Sequence, residues 1–286
     1  MKNKEKLSRR SALQTIGLLG AASALGTAVS PSKAEADRGN ATAFAMIGDR
    51  WHSYDYIRTA FTRTFIKEAG LTIDFSCDYS LFALETLKKY NLLIMLMDGM
   101  IFPNGYRSPY HLIDKSLELK SDPPVEGLDE KHVMWMTDEQ GKDLKEYVTQ
   151  GGAALFYHNS SYISTATEHF RDVEGAMFTG HTDFAPYKME IVNKDHPITK
   201  GVNDFIVTEE QHYLIYDKNP SHVLMRSVNL RGRGFRDQGT SCEACWAYEY
   251  GKGRVCFMAP GHTIPGLWNP EYVKLQKNAA KWLLRT

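Results

Sequence analysis

Histidine and acidic side chains recur directly after the strand-like apolar segments of this chain, and such groups transfer protons or bind metal ions. Four segments are followed in this way. The residues that follow them are Asp49, Trp51 and His52, then Asp98, then His158, and finally His262. In an open parallel sheet, ligands bind beyond the carboxyl ends of the strands, near the point where the strand order reverses. We therefore expect these side chains to meet at one edge of a sheet.

A second group lies in Glu209-Glu210-Gln211-His212, which places two acids and an imidazole within four residues. General acid–base chemistry uses such groups when a partly dry pocket separates their pKa values. Glu210 and His212 are therefore site candidates, whereas Glu209 is more typical of a solvated loop edge. His181 follows Gly180 in a polar loop and is a further candidate for substrate contact.

Each candidate also has an ordinary structural interpretation. A lone histidine is more often a satisfied hydrogen-bonding group than a catalyst. The shared placement of His52, His158 and His262 is what favours a functional interpretation. The aspartates can equally cap helices or brace turns, and the tryptophan can simply cover the sheet edge.

Several other kinds of site are disfavoured. A serine nucleophile usually occupies a G-x-S-x-G turn after a strand, but here His158-Asn159-Ser160 follows without flanking glycines. Gly232 and Gly234 neither follow a strand nor open a helix, so a dinucleotide-binding fingerprint is absent. Several imidazoles and a carboxylate suit zinc or another divalent ion, yet the sequence has no tight H-E-x-x-H or Cys/His motif. The sequence therefore leaves open whether a divalent metal ion binds, and it establishes no cofactor.

The elements that must position these residues alternate between strand and helix. Buried parallel strands are predicted at Ala43–Ile47, Leu71–Phe75, Leu92–Met97 and Ala153–Tyr157. Helices are predicted at Tyr54–Ala69, Ser80–Tyr90 and Thr137–Gln150. The last helix opens with capping-box spacing. This rhythm predicts an α/β fold with a doubly wound, mostly parallel sheet and helices on both faces.

Beyond Phe170 the pattern becomes richer in strands. They are predicted at Tyr187–Val192, His222–Val228, Ala244–Tyr250 and Arg254–Ala259. The amphipathic segment Pro270–Leu284 predicts a closing helix. Residues 101–135 hold four prolines, several charges and little periodicity, which predicts a long insertion over the sheet edge.

Composition argues against a nucleic-acid partner, because 34 basic side chains balance 34 acidic ones and no basic stripe is present. Frequent aromatic residues are compatible with a sugar-stacking surface.

Among the four cysteines, Cys242 and Cys245 are the closest pair. A redox C-x-x-C motif opens a helix after a strand, whereas this pair precedes a strand, so we expect a loop disulfide or two inert thiols. The oligomeric state stays open.

The first 36 residues carry the pattern of a twin-arginine export signal. Ser8-Arg9-Arg10-Ser11 precedes a mildly apolar stretch, and Ala34-Glu35-Ala36 supplies a small-residue cleavage site. The apolar stretch of about 14 residues is short of the roughly 20 that a membrane span needs. We expect residues 37–286 to form the working domain, in the periplasm or outside the cell, without a membrane span.

Five short motifs occur along the chain in an order that is more specific than any one of them. They are Gly151-Gly-Ala-Ala-Leu-Phe-Tyr-His158, Asp195-His-Pro-Ile-Thr-Lys-Gly201, Glu209-Glu-Gln-His-Tyr213, Tyr250-Gly-Lys-Gly-Arg-Val255 and Pro260-Gly-His262. This set resembles the trehalose-utilisation (ThuA-like) family over roughly residues 43 to 285. The resemblance implies a flavodoxin-like sheet of the class I glutamine-amidotransferase type, with a histidine segment, matched by His158, in place of the nucleophile turn. It also implies a role in sugar metabolism, including keto-sugar derivatives of disaccharides.

Two features depart from the family pattern, the long insertion before Thr137 and the step Thr182-Asp183 where His-Pro is common. Both bear on substrate identity, because loops shape a pocket. The resulting hypothesis is an exported enzyme that acts on a small carbohydrate, with His158 and His262 as acid–base groups assisted by Glu210. The expected substrate contacts are Asp49, Trp51, His52, Asp98, His181 and His212. A non-catalytic sugar-binding protein and a metal-dependent hydrolase are the alternatives.

Overall fold

The alternation of apolar strands and amphipathic helices appears in the computed structural model, which describes residues 42–105, 123, 131–232 and 234–286. The strands are β1 (Ala43–Ile47), β2 (Ile73–Ser76), β3 (Leu92–Leu96), β4 (Met100–Ile101), β5 (Val133–Met134), β6 (Ala153–Tyr157), β7 (Ala176–His181), β8 (Ala185–Ile191), β9 (Phe205–Glu209), β10 (His212–Tyr216), β11 (Val223–Asn229), β12 (Ser241–Tyr250) and β13 (Gly253–Met258). The α-helices are α1 (Tyr54–Phe61), α2 (Leu84–Leu87), α3 (Asp138–Thr149), α4 (Glu168–Glu174), α5 (Ile264–Leu267) and α6 (Pro270–Leu284). A π-helical segment, Thr62–Lys67, continues α1. The predicted export signal and most of the predicted insertion lie outside the described residues.

Nine strands form one sheet in the order β2-β1-β3-β6-β13-β12-β11-β8-β9. Neighbours pair in parallel from β2 to β13 and antiparallel from β13 to β9. Because two successive antiparallel pairs restore the direction, only β12 and β8 run against the other strands of this sheet. The predicted mostly parallel α/β fold is confirmed.

The parallel part of the sheet is buried on both faces. Every residue of β1, β3 and β6 is buried, which requires helices on either side. The helices fall into two groups, α1 with α5 and α6, and α2 with α3 and α4, and contacts run within each group. These two groups cover the sheet and leave the carboxyl ends of its strands free to carry loops.

Several local predictions agree closely with the structure. The predicted strand Ala153–Tyr157 and the predicted helix Pro270–Leu284 match β6 and α6 residue for residue. The capping box of α3 is formed, with Gln140 N donating to Thr137 Oγ1 at 3.2 Å and Thr137 N donating to Gln140 Oε1 at 3.0 Å.

The predicted helix Ser80–Tyr90 is wrong in its extent. A 3₁₀ turn at Tyr79–Leu81 is capped by Asp78, whose Oδ1 accepts from Ser80 N at 2.9 Å. Ala83 is extended, with φ −148° and ψ 153°, and therefore separates this turn from the four-residue α2. The cap comes from Asp78 because its carboxylate lies two residues ahead of an N–H that has no helical partner.

Cys242 and Cys245 lie inside β12, which begins three residues before the predicted strand, and not in a loop. Both are buried and unbridged. The expected loop disulfide is therefore absent, and the alternative of two inert thiols describes the pair. Burial raises the pKa of the Cys242 thiol to about 11, which keeps it in the unreactive thiol form.

Three strands near the site had no prediction, namely β7, β9 and β10. β7 and β10 pair with each other as a separate antiparallel ribbon in which His181 stands opposite His212. β4 and β5 form a second short ribbon at the base of the predicted insertion. In the part of the chain that the structure describes, no helix has both the length and the apolar character to cross a membrane.

Candidate active site

Three histidines meet at the carboxyl ends of β1, β6 and β13, which lie in the parallel half of the sheet. His52 Nε2 lies 3.1 Å from His262 Nδ1, and His158 Nε2 lies 3.3 Å from the same atom. The parallel arrangement brings these residues together, because each strand delivers its following loop to the same edge.

His158 occupies a strained turn immediately after β6. Its φ is +47°, a left-handed conformation that costs roughly 1–2 kcal/mol for a residue with a side chain. His158 Nδ1 donates to the carbonyl of Ala259 at 2.9 Å, which fixes the tautomer and turns Nε2 towards His262. Burial, reinforced by the surrounding imidazoles, lowers the pKa of His158 well below its ordinary value. The ring is therefore neutral, with a lone pair on Nε2.

Asp49 forms a hydrogen bond with the His52 ring on the side that faces away from His262. Its carboxylate accepts from His52 Nδ1 at 2.9 Å, Trp51 N at 2.8 Å, Asp98 N at 3.1 Å and Asn159 Nδ2 at 2.6 Å. Burial opposes ionisation, but the charge and hydrogen bond of His52 outweigh it and lower the pKa of Asp49. These donors occupy both oxygens, and the side chain is only 3% exposed. Asp49 thus positions His52, instead of making the substrate contact that the sequence predicted.

Glu210 adds a carboxylate to the three imidazoles. Its Oε2 lies 3.0 Å from His262 Nδ1 and 3.9 Å from His158 Nε2, and its Oε1 lies 3.7 Å from His181 Nδ1. Burial opposes ionisation here too, yet the hydrogen bond and charge of His262 lower the pKa of Glu210. We call His52, His158, Glu210 and His262 the histidine cluster.

Glu209 is fully buried, so its predicted place on a solvated loop edge is wrong. Its Oε2 accepts from the backbone N–H of Gly261 at 2.9 Å and of His262 at 3.2 Å. Its Oε1 accepts from Thr263 N at 2.9 Å and from Thr263 Oγ1 at 2.8 Å. These four bonds fix residues 259–263, the His262 loop, and burial nonetheless raises the pKa of Glu209.

A cavity of about 300 Å³ opens onto the histidine cluster. Its walls include the predicted site residues Trp51, His52, Asp98, His181, Glu210, His212 and His262. Met100, Asn159, Tyr162 and Phe178 complete them. Neither Asp49 nor His158 lines this cavity. His158 lies behind its wall, with Nε2 directed at the His262 ring.

A stack of imidazoles extends from His158 along one side of the site. The ring of His212 lies parallel to that of His158, with centroids 3.9 Å apart, and His181 follows at 5.6 Å. Burial, followed by the neighbouring imidazoles, lowers the pKa of His212 well below its ordinary value. Five of the ten histidines thus gather at this site.

Asp98 brings a second kind of carboxyl group to the cavity. Its Oδ1 accepts from Met100 N at 2.9 Å, and its carbonyl accepts from Trp135 Nε1 at 2.7 Å. Burial, and after it the negative charge of Asp49, raise the pKa of Asp98 to about 8. Asp98 is therefore protonated at neutral pH and can donate a hydrogen bond into the cavity.

Residues 127–283, more than half of the chain, match the family model for ThuA, described as trehalose utilisation. The chain belongs to the ThuA family. The predicted resemblance is confirmed, and the family description connects the protein with carbohydrate metabolism. No protein with curated annotation matches the chain.

Solved structures share the fold of this ThuA-family protein. A ThuA-like protein from Bacteroides uniformis ATCC 8492 is 19% identical with a TM-score of 0.57, over 84% of this chain and 89% of that one. One from Parabacteroides merdae ATCC 43184 is 15% identical with a TM-score of 0.56, over 86% and 90%. A beta-galactosidase from Rahnella sp. R3 is 14% identical with a TM-score of 0.50, over 85% of this chain and 31% of that chain. At these identities the likeness shows the fold alone.

Some cavity residues of this family member were absent from the predicted site. Asn159 follows His158 directly, and its position in the turn was a usable signal. Tyr162 reaches the cavity from the 3₁₀ helix His158–Thr165 and Phe178 from β7, and neither carries a local signal of function. Their contribution depends on the path of the chain after β6.

Proposed function

We propose that this ThuA-family protein is an enzyme that transforms a carbohydrate, in particular a keto-sugar or disaccharide derivative. The histidine cluster is its reaction centre. The family's association with trehalose utilisation supports the substrate class. The cavity of about 300 Å³ combines hydrogen-bonding side chains with the aromatic walls Trp51, Tyr162 and Phe178, a combination suited to a polar ring with apolar C–H faces.

The observation that carries the proposal is the backbone of His158. A φ of +47° is uncommon for a residue with a side chain, and strain of this kind is concentrated at functional sites. The strained turn directs Nε2 towards His262 Nδ1 at 3.3 Å, beside Glu210. The fold therefore tolerates an unfavourable backbone conformation at the residue whose imidazole it places in the cluster.

Three members of the cluster line the cavity, and two of them, Glu210 and His262, are exposed enough to meet a substrate. The side chains of Glu210 and His262 are 13% and 16% exposed. Either group can accept a proton from a sugar hydroxyl or from the carbon beside a sugar carbonyl, a step that typically contributes about 10²- to 10⁴-fold to a rate. Asp98 and His181 line the same cavity and can return a proton to the substrate.

To test the proposal, the protein is incubated with disaccharides, including trehalose, and with their 3-keto forms. NMR measures the turnover. We expect H158A to lose at least about 100-fold of the activity, because the variant removes the imidazole beside His262 and Glu210, the two proton-transfer groups. H169A is the control, since the half-buried His169 side chain contacts Asp138 instead of the cluster. Circular dichroism checks the fold, and E210Q provides a second variant at the cavity surface. Saccharide binding without turnover would overturn the proposal in favour of a sugar-binding protein.

We further propose that the chain is exported to the periplasm or beyond by the twin-arginine route. The support is the order of features in the first 36 residues, namely paired arginines, a mildly apolar stretch and a small-residue cleavage site.

A further inference from the structure

We infer that the histidine cluster binds one divalent transition-metal ion, with Zn²⁺ the best match. The ligand atoms are His52 Nε2, His158 Nε2, His262 Nδ1 and a Glu210 carboxylate oxygen, which lie within 4.8 Å of one another. The inference rests on the proposed function in that it concerns the same reaction centre. It adds a cofactor that the reaction centre would use.

The cluster holds more lone pairs than the protons of its own side chains can satisfy. His158 Nδ1 donates to Ala259, and His52 Nδ1 bonds to Asp49, so each ring in its neutral form presents an Nε2 lone pair to the cluster. Glu210 contributes a carboxylate oxygen. His262 Nδ1 lies 3.0 to 3.3 Å from all three of these atoms and carries at most one proton. One N–H cannot satisfy three acceptors, whereas a cation at their centre binds every lone pair.

The distances between the ligand atoms of the cluster are close to those of a tetrahedral zinc site. Zn²⁺ binds imidazole nitrogen and carboxylate oxygen at about 2.0–2.2 Å in a tetrahedral arrangement, which sets its ligand atoms about 3.3 Å apart. In the cluster, His262 Nδ1 lies 3.1 Å from His52 Nε2, 3.3 Å from His158 Nε2 and 3.0 Å from Glu210 Oε2. His158 Nε2 and Glu210 Oε2 are 3.9 Å apart. These separations lie around the tetrahedral value, so small side-chain shifts suffice to bind the ion.

Hydrogen bonds from outside the cluster support its histidines. Metal-binding histidines almost always donate their other ring N–H to a carboxylate or a backbone carbonyl, which fixes the tautomer. His52 does so to Asp49, and His158 does so to Ala259. His262 is held through its backbone N–H by Glu209 at 3.2 Å. The rings of His52 and His158 are thus oriented in advance, and the backbone of His262 is fixed, as a metal centre requires.

The ligand types select the metal. Imidazole nitrogen suits zinc, iron, copper and nickel, whereas magnesium and calcium prefer oxygen ligands. A second group of acidic and histidine residues, Asp49, His52 and Asp98, also lies close together. It is a weaker candidate, because N–H donors already occupy both oxygens of Asp49.

The ion would face the cavity, because His262 and Glu210 form its exposed side while His52 and His158 are buried. Such an ion polarises a bound oxygen or activates a water molecule. Proton transfer would then fall to His181 and Asp98, which line the cavity outside the four ligands.

The experiment measures metal binding without substrate. Full-length protein is stripped with a chelator and titrated with Zn²⁺ and with Mg²⁺ by calorimetry. We expect one Zn²⁺ per chain and no Mg²⁺ binding at the same site. D49N should weaken Zn²⁺ binding about 10- to 100-fold through loss of the His52 partner, and H262A should weaken it at least about 100-fold. H169A removes an imidazole outside the cavity that contacts Asp138, and this control should bind Zn²⁺ as the wild type does.

Failure to bind Zn²⁺, or equal affinity in the wild type, D49N and H262A with all three folded by circular dichroism, would overturn the inference. Turnover assays then separate it from the proposed function. Saccharide turnover by stripped protein that binds no Zn²⁺ overturns the metal site and leaves the enzyme. One bound Zn²⁺ with no turnover of any saccharide supports the metal site and counts against the proposed enzyme.

Discussion

Glu209 and Glu210 are neighbours in the chain, yet their carboxylates contact different parts of the same loop. Glu209 is fully buried and binds the backbone N–H groups of Gly261, His262 and Thr263. Glu210 reaches the cavity and meets the His262 ring, with Oε2 and Nδ1 3.0 Å apart. Successive side chains of an extended strand point to opposite faces, and β9 ends at Glu209. One acid therefore places the backbone of His262, and the next contacts its imidazole.

The first prediction concerns this division of roles. E209Q replaces an acceptor oxygen by an NH₂ group that would face a backbone N–H donor. We expect a loss of about 1–3 kcal/mol in the free energy of unfolding, together with reduced turnover as the His262 loop shifts. Urea denaturation and the saccharide assay measure the two effects. E210Q is the matched control and should lose turnover while keeping nearly all of its stability. Wild-type stability in E209Q would contradict the bracing role.

The second prediction tests the strain at His158. H158A and H158G both remove the imidazole, but glycine adopts positive φ without a Cβ penalty. We expect H158G to be more stable than H158A by about 0.5–1 kcal/mol in urea denaturation of chelator-treated protein, since relief of strain exceeds the flexibility cost of glycine. Ser161, a buried residue of the same 3₁₀ helix without positive φ, provides the control. There S161G should be less stable than S161A. If the glycine variant were the less stable one at position 158 as well as at position 161, the result would argue against strain at His158.

The third prediction concerns pH. Burial and Asp49 raise the folded-state pKa of Asp98 to about 8, above its unfolded value near 3.8. Its contribution to stability is therefore fully present below pH 3.8 and is lost as pH rises towards 8. D98N keeps an acceptor for Met100 N and cannot ionise. We expect D98N and wild type to be similar near pH 4, with D98N at least about 1.4 kcal/mol more stable at pH 8.5, the equivalent of one pKa unit.

Urea denaturation across this pH range, on chelator-treated protein, checks the third prediction. The exposed Asp237 offers a control, and D237N should follow the wild-type curve. A constant difference between D98N and the wild type from pH 4 to 8.5 would show that the carboxyl does not titrate as described.

The fourth prediction concerns export. The replacement R9K/R10K keeps the positive charge but removes the arginine pair that the twin-arginine route reads. We expect the doubly substituted chain to stay in the cytoplasm, as measured by cell fractionation, whereas K2R leaves export unchanged. Equal export of R9K/R10K and the wild type would contradict the proposed route.

Much of the site was accessible from the sequence because its residues follow strands that are themselves strong local signals. Continuous apolar runs gave β1, β3 and β6 to within one residue, and parallel neighbours must end at a common edge. The contributions of β7 and β10 were less accessible. β7 mixes histidine and glycine with apolar residues, β10 opens with a histidine, and the two strands are stabilised by pairing with each other. The burial of Glu209 could not be predicted from local sequence either, because its hydrogen-bond donors lie 52 to 54 residues further along the chain.

The sequence by itself determined the α/β class, the order of its main strands and helices, the family and the set of candidate histidines. These follow from apolar runs, caps and motifs, which act over a few residues. Tertiary structure decided which atoms face one another. His52 and His262 are 210 residues apart in the chain, and only the strand order sets their nitrogens 3.1 Å apart. The tautomer of His158 and the separate roles of Glu209 and Glu210 likewise depend on hydrogen-bond partners supplied by distant strands, because side-chain direction and burial are properties of the packed chain.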